Sequence, residues 1–92
     1  MIVRILGEGQ FKLDGKLIDR LNKIDNEIVD HVAKGNQVEF RKDLYNLIST
    51  VKEQGEPLDP VDIIQSDLII PPEDLSIEEA RKIFSGQGVI KD

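Results

Sequence analysis

The stretch Ser66-Asp67-Leu68-Ile69-Ile70-Pro71-Pro72-Glu73-Asp74-Leu75-Ser76-Ile77-Glu78-Glu79-Ala80 decides the fold expected for this chain of 92 residues. The apolar residues 68–70 predict a short buried strand, which the two prolines end because proline cannot donate to a strand ladder. Ser76 followed three residues later by Glu79 is the capping-box pattern, so a helix should begin there, with Leu75 packing on Ala80. The stretch therefore predicts a strand, a stop and a helix in quick succession.

The N-terminal residues predict a β-hairpin. Residues 1–6 are mostly aliphatic, Gly7-Glu8-Gly9 has the composition of a turn, and residues 10–13 alternate polar and apolar side chains. Alternation along a strand would bury Val3, Ile5, Phe11 and Leu13 on one face, and leave Arg4, Gln10 and Lys12 on the other.

Two amphipathic helices are expected between the hairpin and the opening stretch. From residue 16 to 34, apolar side chains recur three or four positions apart, at Leu17, Leu21, Ile24, Ile28 and Val32. Gly35 is typical of a helix C-terminus and Asn36 of the next N-cap, so the second helix should cover residues 37–54. Its apolar face would be formed by Phe40, Leu44, Leu47, Ile48 and Val51.

The remaining residues complete the fold class. Residues 56–60 are expected to be a linker, followed by one helical turn through residue 65. The third helix should cover residues 77–85, with Ile77, Ala80, Ile83 and Phe84 directed inward, and residues 88–90 could add a final short strand. We therefore predict an α+β fold: a small antiparallel or mixed sheet centred on the N-terminal hairpin, a helical hairpin on one face and a third, C-terminal helix.

Composition narrows the kind of protein. Residues 1–92 are expected to form a single domain, since smaller pieces could not bury a core without metals or disulfides. The net charge of −6 disfavours nucleic acid and anionic lipid as partners. Cysteine is absent, and no apolar run approaches the ~20 residues of a membrane span. We expect a cytoplasmic protein that does not insert into the membrane.

No stretch of the sequence predicts catalysis or a cofactor. With no Cys and only His31, a zinc site cannot be assembled from the usual ligands. The carboxylates Asp19, Asp25, Glu27 and Asp30 alternate with cations and are expected to form a solvated helix face. The adjacent residues Ser66 and Asp67 would point to opposite sides of an extended chain, which does not suit a nucleophile and its base. No catalytic, cofactor-binding or metal-binding residue is therefore predicted, and the chain is not expected to be an enzyme.

Several segments together resemble one known family. Three segments look like the PspA-associated domain, PspAA. They are the opening Met1-Ile2-Val3-Arg4-Ile5-Leu6-Gly7-Glu8-Gly9-Gln10, the block Ser66-Asp67-Leu68-Ile69-Ile70-Pro71-Pro72 with the Asp74-Leu75-Ser76-Ile77-Glu78-Glu79-Ala80 that follows, and the closing Phe84-Ser85-Gly86-Gln87-Gly88-Val89-Ile90. The helical hairpin between them is similar in length and order. Only the final Lys91-Asp92 departs from the proline-containing ending typical of the family.

This resemblance implies a non-catalytic adaptor or regulator that associates with a PspA-like coiled-coil protein in the membrane stress response. Contacts with the partner are expected on the exposed side of the hairpin or in the proline block, and the candidate residues are Arg4, Gln10, Lys12, Ser66, Asp67, Pro71 and Pro72. The alternatives are a self-associating structural homo-oligomer and a regulatory domain that binds a small molecule. Any contact with the membrane would be made through the partner.

Overall fold

A four-stranded sheet forms one layer of the structure, a computed structural model that describes residues 1–61 and 64–83. Its strands are β1 (Ile2–Ile5), β2 (Gly9–Lys12), β3 (Glu56–Pro57) and β4 (Leu68–Ile70). Their order is β3-β2-β1-β4, with β4 parallel to β1 and the other pairs antiparallel. The predicted hairpin therefore lies at the centre of a mixed sheet.

The helices are α1 (Ile18–Ala33), α2 (Gln37–Gln54) and α3 (Ile77–Ile83), and a 3₁₀ turn at Gly15–Leu17 precedes α1. The helical hairpin of α1 and α2 packs on one face of the sheet and α3 packs beside α1, which confirms the predicted α+β class. The α-helix begins two residues later than expected because Asp14 caps the 3₁₀ turn, its Oδ1 accepting a hydrogen bond from the N–H of Lys16 at 3.0 Å.

The sheet turns one face to the helices, as the alternation of the hairpin predicted. In the register of β1 and β2, Val3 lies opposite Phe11, and both are buried, as are Ile5 and Leu13. The turn between the strands requires Gly7 and Gly9 at φ of 89° and 107°, a region that side chains with a Cβ rarely adopt. The expectation that Gln10 is exposed is wrong, because another part of the chain covers it.

The joint between α1 and α2 has the predicted chemistry. Gly35 adopts φ of 70°, and its N–H donates to the carbonyl of Val32 at 3.1 Å. The side-chain oxygen of Asn36 accepts from the N–H of Glu39 at 3.2 Å, as an N-cap should. This joint brings the two apolar helix faces together over the sheet, and every apolar residue named for the second helix is buried.

One polar residue in α1 was misassigned. Asp25 was expected on a solvated face but its exposed fraction is 0%. Asp25 lies four residues after Leu21 and three before Ile28, so it belongs to the buried stripe of α1. The spacing of Asp25 from Leu21 and Ile28, rather than its charge, indicates that it is buried.

The expectation of a linker directly after α2 is also wrong. Residues 56–57 form β3, which extends the sheet beside β2, with Pro57 opposite Phe11. A proline is tolerated there because β3 is an edge strand. The helical turn expected through residue 65 is not formed at residues 64–66.

The opening stretch folds largely as predicted. Ser76 Oγ accepts a hydrogen bond from the N–H of Glu79 at 3.1 Å, and Leu75 and Ala80 are buried. Ile83 is 42% exposed, against expectation, because it lies about 60° further round α3 than Ala80. Phe84, the expected helix end at residue 85 and the strand expected at residues 88–90 lie outside the described residues.

Close packing beside Gly55 generates a stability prediction. A Cβ added at Gly55 would lie 2.5 Å from the carbonyl oxygen of Val51 and 3.0 Å from side-chain atoms of Phe11 and Leu13. We expect Gly55→Ala to lower the free energy of unfolding by about 1–3 kcal/mol in urea titrations. Gly15→Ala is the control, since its Cβ would meet nothing within 4 Å and should be neutral or slightly stabilising. Equal stability of the two variants would contradict the packing described.

Candidate partner-binding surface

The sheet face opposite the helices is partly covered by the chain itself. Because β3 and β4 lie on opposite edges, the chain between them must pass across β2 and β1. We call residues 58–61 and 64–67 of this connection the crossing segment. The carbonyl of Gln10 accepts from the N–H of Leu58 at 2.9 Å, and its Nε2 donates to the carbonyl of Ile64 at 2.6 Å and to Ser66 Oγ at 2.8 Å. Gln10 is therefore only 8% exposed and holds this segment against the sheet.

Asp67 fixes the end of the crossing segment to β1. Its N–H donates to the carbonyl of Ile2 at 2.8 Å, and its Oδ2 accepts from the N–H of Ile2 at 2.8 Å. Pro71, just after β4, is buried, and the carbonyl of Ile70 accepts from the N–H of Leu6 at 3.0 Å. Asp67 and Pro71 therefore contribute to the attachment of β4.

The seven predicted contact residues thus divide into two groups. Four have contacts within the fold: Gln10, Ser66, Asp67 and Pro71. Arg4 and Lys12 are exposed on the outer face of the sheet, and Pro72 is half-buried. The structure brings Arg4 beside Ile69, its partner in the parallel register, and Ile69 is 53% exposed. Partner binding by these residues stays a prediction.

A second surface was not found from the sequence. On the side of α2 that faces away from the core, Val38 and Tyr45 are among the most exposed large apolar side chains. They belong to a row that we call the outer α2 row, made of Val38, Lys42, Tyr45, Ser49 and Lys52. The sequence predicts only the apolar face of this helix. The available signal was the regular spacing of the outer positions by four and three residues.

An ion pair joins the two helices of the hairpin. Asp43, on α2, forms a hydrogen bond with Nδ1 of His31, on α1, and the two side chains are 12% and 24% exposed. The hydrogen bond from Asp43 raises the pKa of His31 above its ordinary value of 6.5, although partial desolvation opposes this. The sequence predicts no partner for His31, and the structure places this side chain in a contact between the two helices.

The described residues offer a shallow depression along α1 for a small molecule. It has a volume of about 510 Å³ and is lined by polar side chains, including Asp19, Lys23, Glu27 and His31. This depression is shallow and polar, whereas ligand pockets are usually concave and mostly apolar. Within the same described residues, no three His, Cys, Asp or Glu side chains are grouped as metal ligands would be.

Fold and surfaces together define a small α+β domain with a mixed sheet, a helical hairpin, and exposed apolar side chains on two separate faces. The chain belongs to the PspA-associated protein family, PspAA, whose model matches residues 1–92. No curated protein and no solved structure matches it. None of the helices that the structure describes is long and apolar enough to cross a bilayer.

Removal of the Gln10 side chain tests the attachment of the crossing segment. We expect Gln10→Ala to lower the free energy of unfolding by about 1–2 kcal/mol, since two hydrogen bonds are lost. Limited proteolysis between residues 58 and 67 should become faster. Lys12→Ala, an exposed position on the same strand, is the control and should change neither quantity. If Gln10→Ala matched that control, the crossing segment would not depend on Gln10.

The His31–Asp43 pair predicts a pH dependence of stability. Because the pKa of His31 is raised in the folded state, the pair stabilises the fold fully below pH 6.5. That contribution is lost as pH rises through the raised folded pKa. His31 is the single histidine of the chain, so its imidazole NMR signals can be followed without ambiguity. We expect Asp43→Asn to lower the titration midpoint of His31; an unchanged midpoint would contradict the assignment.

Proposed function

We propose that this protein is a non-catalytic adaptor or regulator that binds a PspA-like coiled-coil protein in the membrane stress response, often called the phage shock response. The observation that carries the proposal is the family match along residues 1–92, since the family is described as PspA-associated. The protein would act in the cytoplasm and reach the membrane through this partner.

The charge of the chain supports indirect membrane contact. At a net charge of −6, approach to an anionic lipid surface is opposed electrostatically. A protein partner that itself contacts the membrane avoids this repulsion. The acidic chain would then act on the state of its partner rather than on lipid.

The exposed side chains support a role in protein binding. Tyr45, Val38 and Ile69 remain accessible on a domain whose other large apolar residues are mostly buried. Tyrosine in particular is enriched at protein interfaces relative to the rest of the surface. Ser66 and Asp67, the one pair in the sequence that could suggest a nucleophile and its base, bond within the fold: Ser66 Oγ accepts from Gln10 Nε2 and Asp67 Oδ2 accepts from the N–H of Ile2. This favours a non-catalytic role.

Self-association is the second candidate function. Among the described residues, β4 is an edge strand, with Ile69 exposed on the outer face. Such an edge can pair with another strand, although β4 has only three residues and Pro71 and Pro72 follow it. A homo-oligomer formed through this edge would therefore be held together by only a short strand pairing.

Binding to the PspA-type protein encoded in the same genome tests the proposal. We expect a saturable titration in calorimetry, with a dissociation constant of about 10 μM or tighter, as is typical of specific association. An unrelated coiled-coil protein of similar length and charge is the control and should give no binding. The mass of the chain alone, from sedimentation, is measured in parallel.

Absence of binding at about 100 μM of each protein would contradict the adaptor proposal. If the chain alone then had a dimeric or larger mass, the self-associating function would take its place.

A further inference from the structure

The helix α2 presents two opposite faces, and the core accounts for only one of them. Its inner face carries Phe40, Leu44, Leu47 and Val51, all buried. The outer α2 row, Val38, Lys42, Tyr45, Ser49 and Lys52, is spaced by four, three, four and three residues. This is the spacing with which one helix packs along another in a coiled coil. The row extends for about 21 Å.

The two apolar members of this row are well exposed to solvent. Val38 is 65% exposed and Tyr45 is 63% exposed. Neither residue is favoured on an exposed helix face by intrinsic propensity, where Ala, Leu, Glu or Lys would serve better. They lie seven residues apart, two turns of the helix, on the same side. Ser49 is small and lies next to Tyr45, so a side chain of a second helix could enter between Tyr45 and Lys52.

The charges of the outer α2 row indicate which kind of protein surface could bind to it. The helix α2 carries three cations and three carboxylates, so the net charge of −6 belongs to the rest of the chain. One of the three carboxylates, Asp43, is buried against His31. Two of the three cations, Lys42 and Lys52, lie within the outer α2 row. A partner surface with carboxylates beside apolar side chains complements this row better than it complements the rest of the molecule.

Both lysines have partners that can be exchanged. Lys42 Nζ lies 3.6 Å from Glu39, and Lys52 Nζ lies 2.9 Å from Glu8, with side chains about half exposed or more. Ion pairs at such exposed positions contribute little to stability, so replacing them with carboxylates of a partner costs little. The row itself is held in place, because α2 packs on α1 and Arg41 Nη1 donates to the carbonyl of Glu73 at 2.9 Å.

We propose that the outer α2 row is the docking surface for one amphipathic helix of the partner, with apolar side chains against Val38 and Tyr45 and carboxylates against Lys42 and Lys52. This inference rests on the proposed function and names its contact surface. About fourteen residues of the partner helix match the length of the row. The outer sheet face is the less suitable surface, because the crossing segment already occupies its centre at Gln10.

Matched variants of the full chain separate the two faces. On the outer α2 row, the variants are Tyr45→Ala and the double charge reversal Lys42→Glu with Lys52→Glu. On the sheet, which is the competing candidate surface, the matched variants are Ile69→Ala and the double charge reversal Arg4→Glu with Lys12→Glu, which changes the net charge by the same amount. All four replace exposed side chains, and circular dichroism melts check that each remains folded.

Each variant is titrated with the purified PspA-type protein of the same genome. We expect both α2 variants to raise the dissociation constant at least about tenfold, as loss of a central tyrosine or a charge pair does at protein interfaces. Both sheet variants should stay within about twofold of the wild type. Raising the salt concentration should weaken binding by the wild type more than binding by the α2 charge-reversal variant.

The outcomes distinguish this inference from the proposed function. Wild-type binding that the α2 variants leave unchanged would overturn the docking surface but keep the adaptor function. Failure of the wild type to bind would overturn the adaptor function and, with it, the occupant named here. A dimeric wild type that Tyr45→Glu converts to a monomer would assign the outer α2 row to self-association and overturn the partner helix.

Discussion

The fold depends on the packing of one face of the central hairpin against the inner faces of α1 and α2. Val3 and Ile5 of β1 are buried in the same core as Phe40 and Leu44 of α2. This contact occupies one face of the sheet, and the chain must still connect β3 on one edge to β4 on the other. The connection can then only pass over the opposite face, and Gln10, a polar residue at the centre of the sheet, becomes its buried anchor.

The same constraint determines which surfaces remain for a partner. The crossing segment covers the middle of the outer sheet face, and the core takes the inner faces of the helices. Among the described residues, the core does not use the outer side of α2, where apolar and cationic side chains form one row over about four turns. A chain of this size has few surfaces long enough to bind a helix. The long helix of the hairpin therefore serves both the core and, in our account, the partner.

Local patterns in the sequence predicted most of the elements. The turn glycines, the Gly35–Asn36 joint and the Ser76 cap act within a few residues, so the sequence was sufficient to place them. The edge strand at Glu56–Pro57 and the burial of Gln10 depend on contacts between distant segments, which periodicity does not contain. Asp25 could have been found from its position between Leu21 and Ile28. The spacing of the outer α2 row is present in the sequence, but an ordinary solvated helix face has the same spacing. The exposure of the apolar side chains of Tyr45 and Val38 is seen only in the structure.

The most direct test of the account is a methyl NMR titration of the folded chain with the PspA-type protein of the same genome. The methyl groups of Val38, Ile69 and Ile64 report on the outer α2 row, the sheet face and the crossing segment in one experiment. Our account predicts large shifts or broadening at Val38, with Ile69 and Ile64 unchanged. Shifts confined to Ile69 and Ile64 would contradict it and place the partner on the sheet.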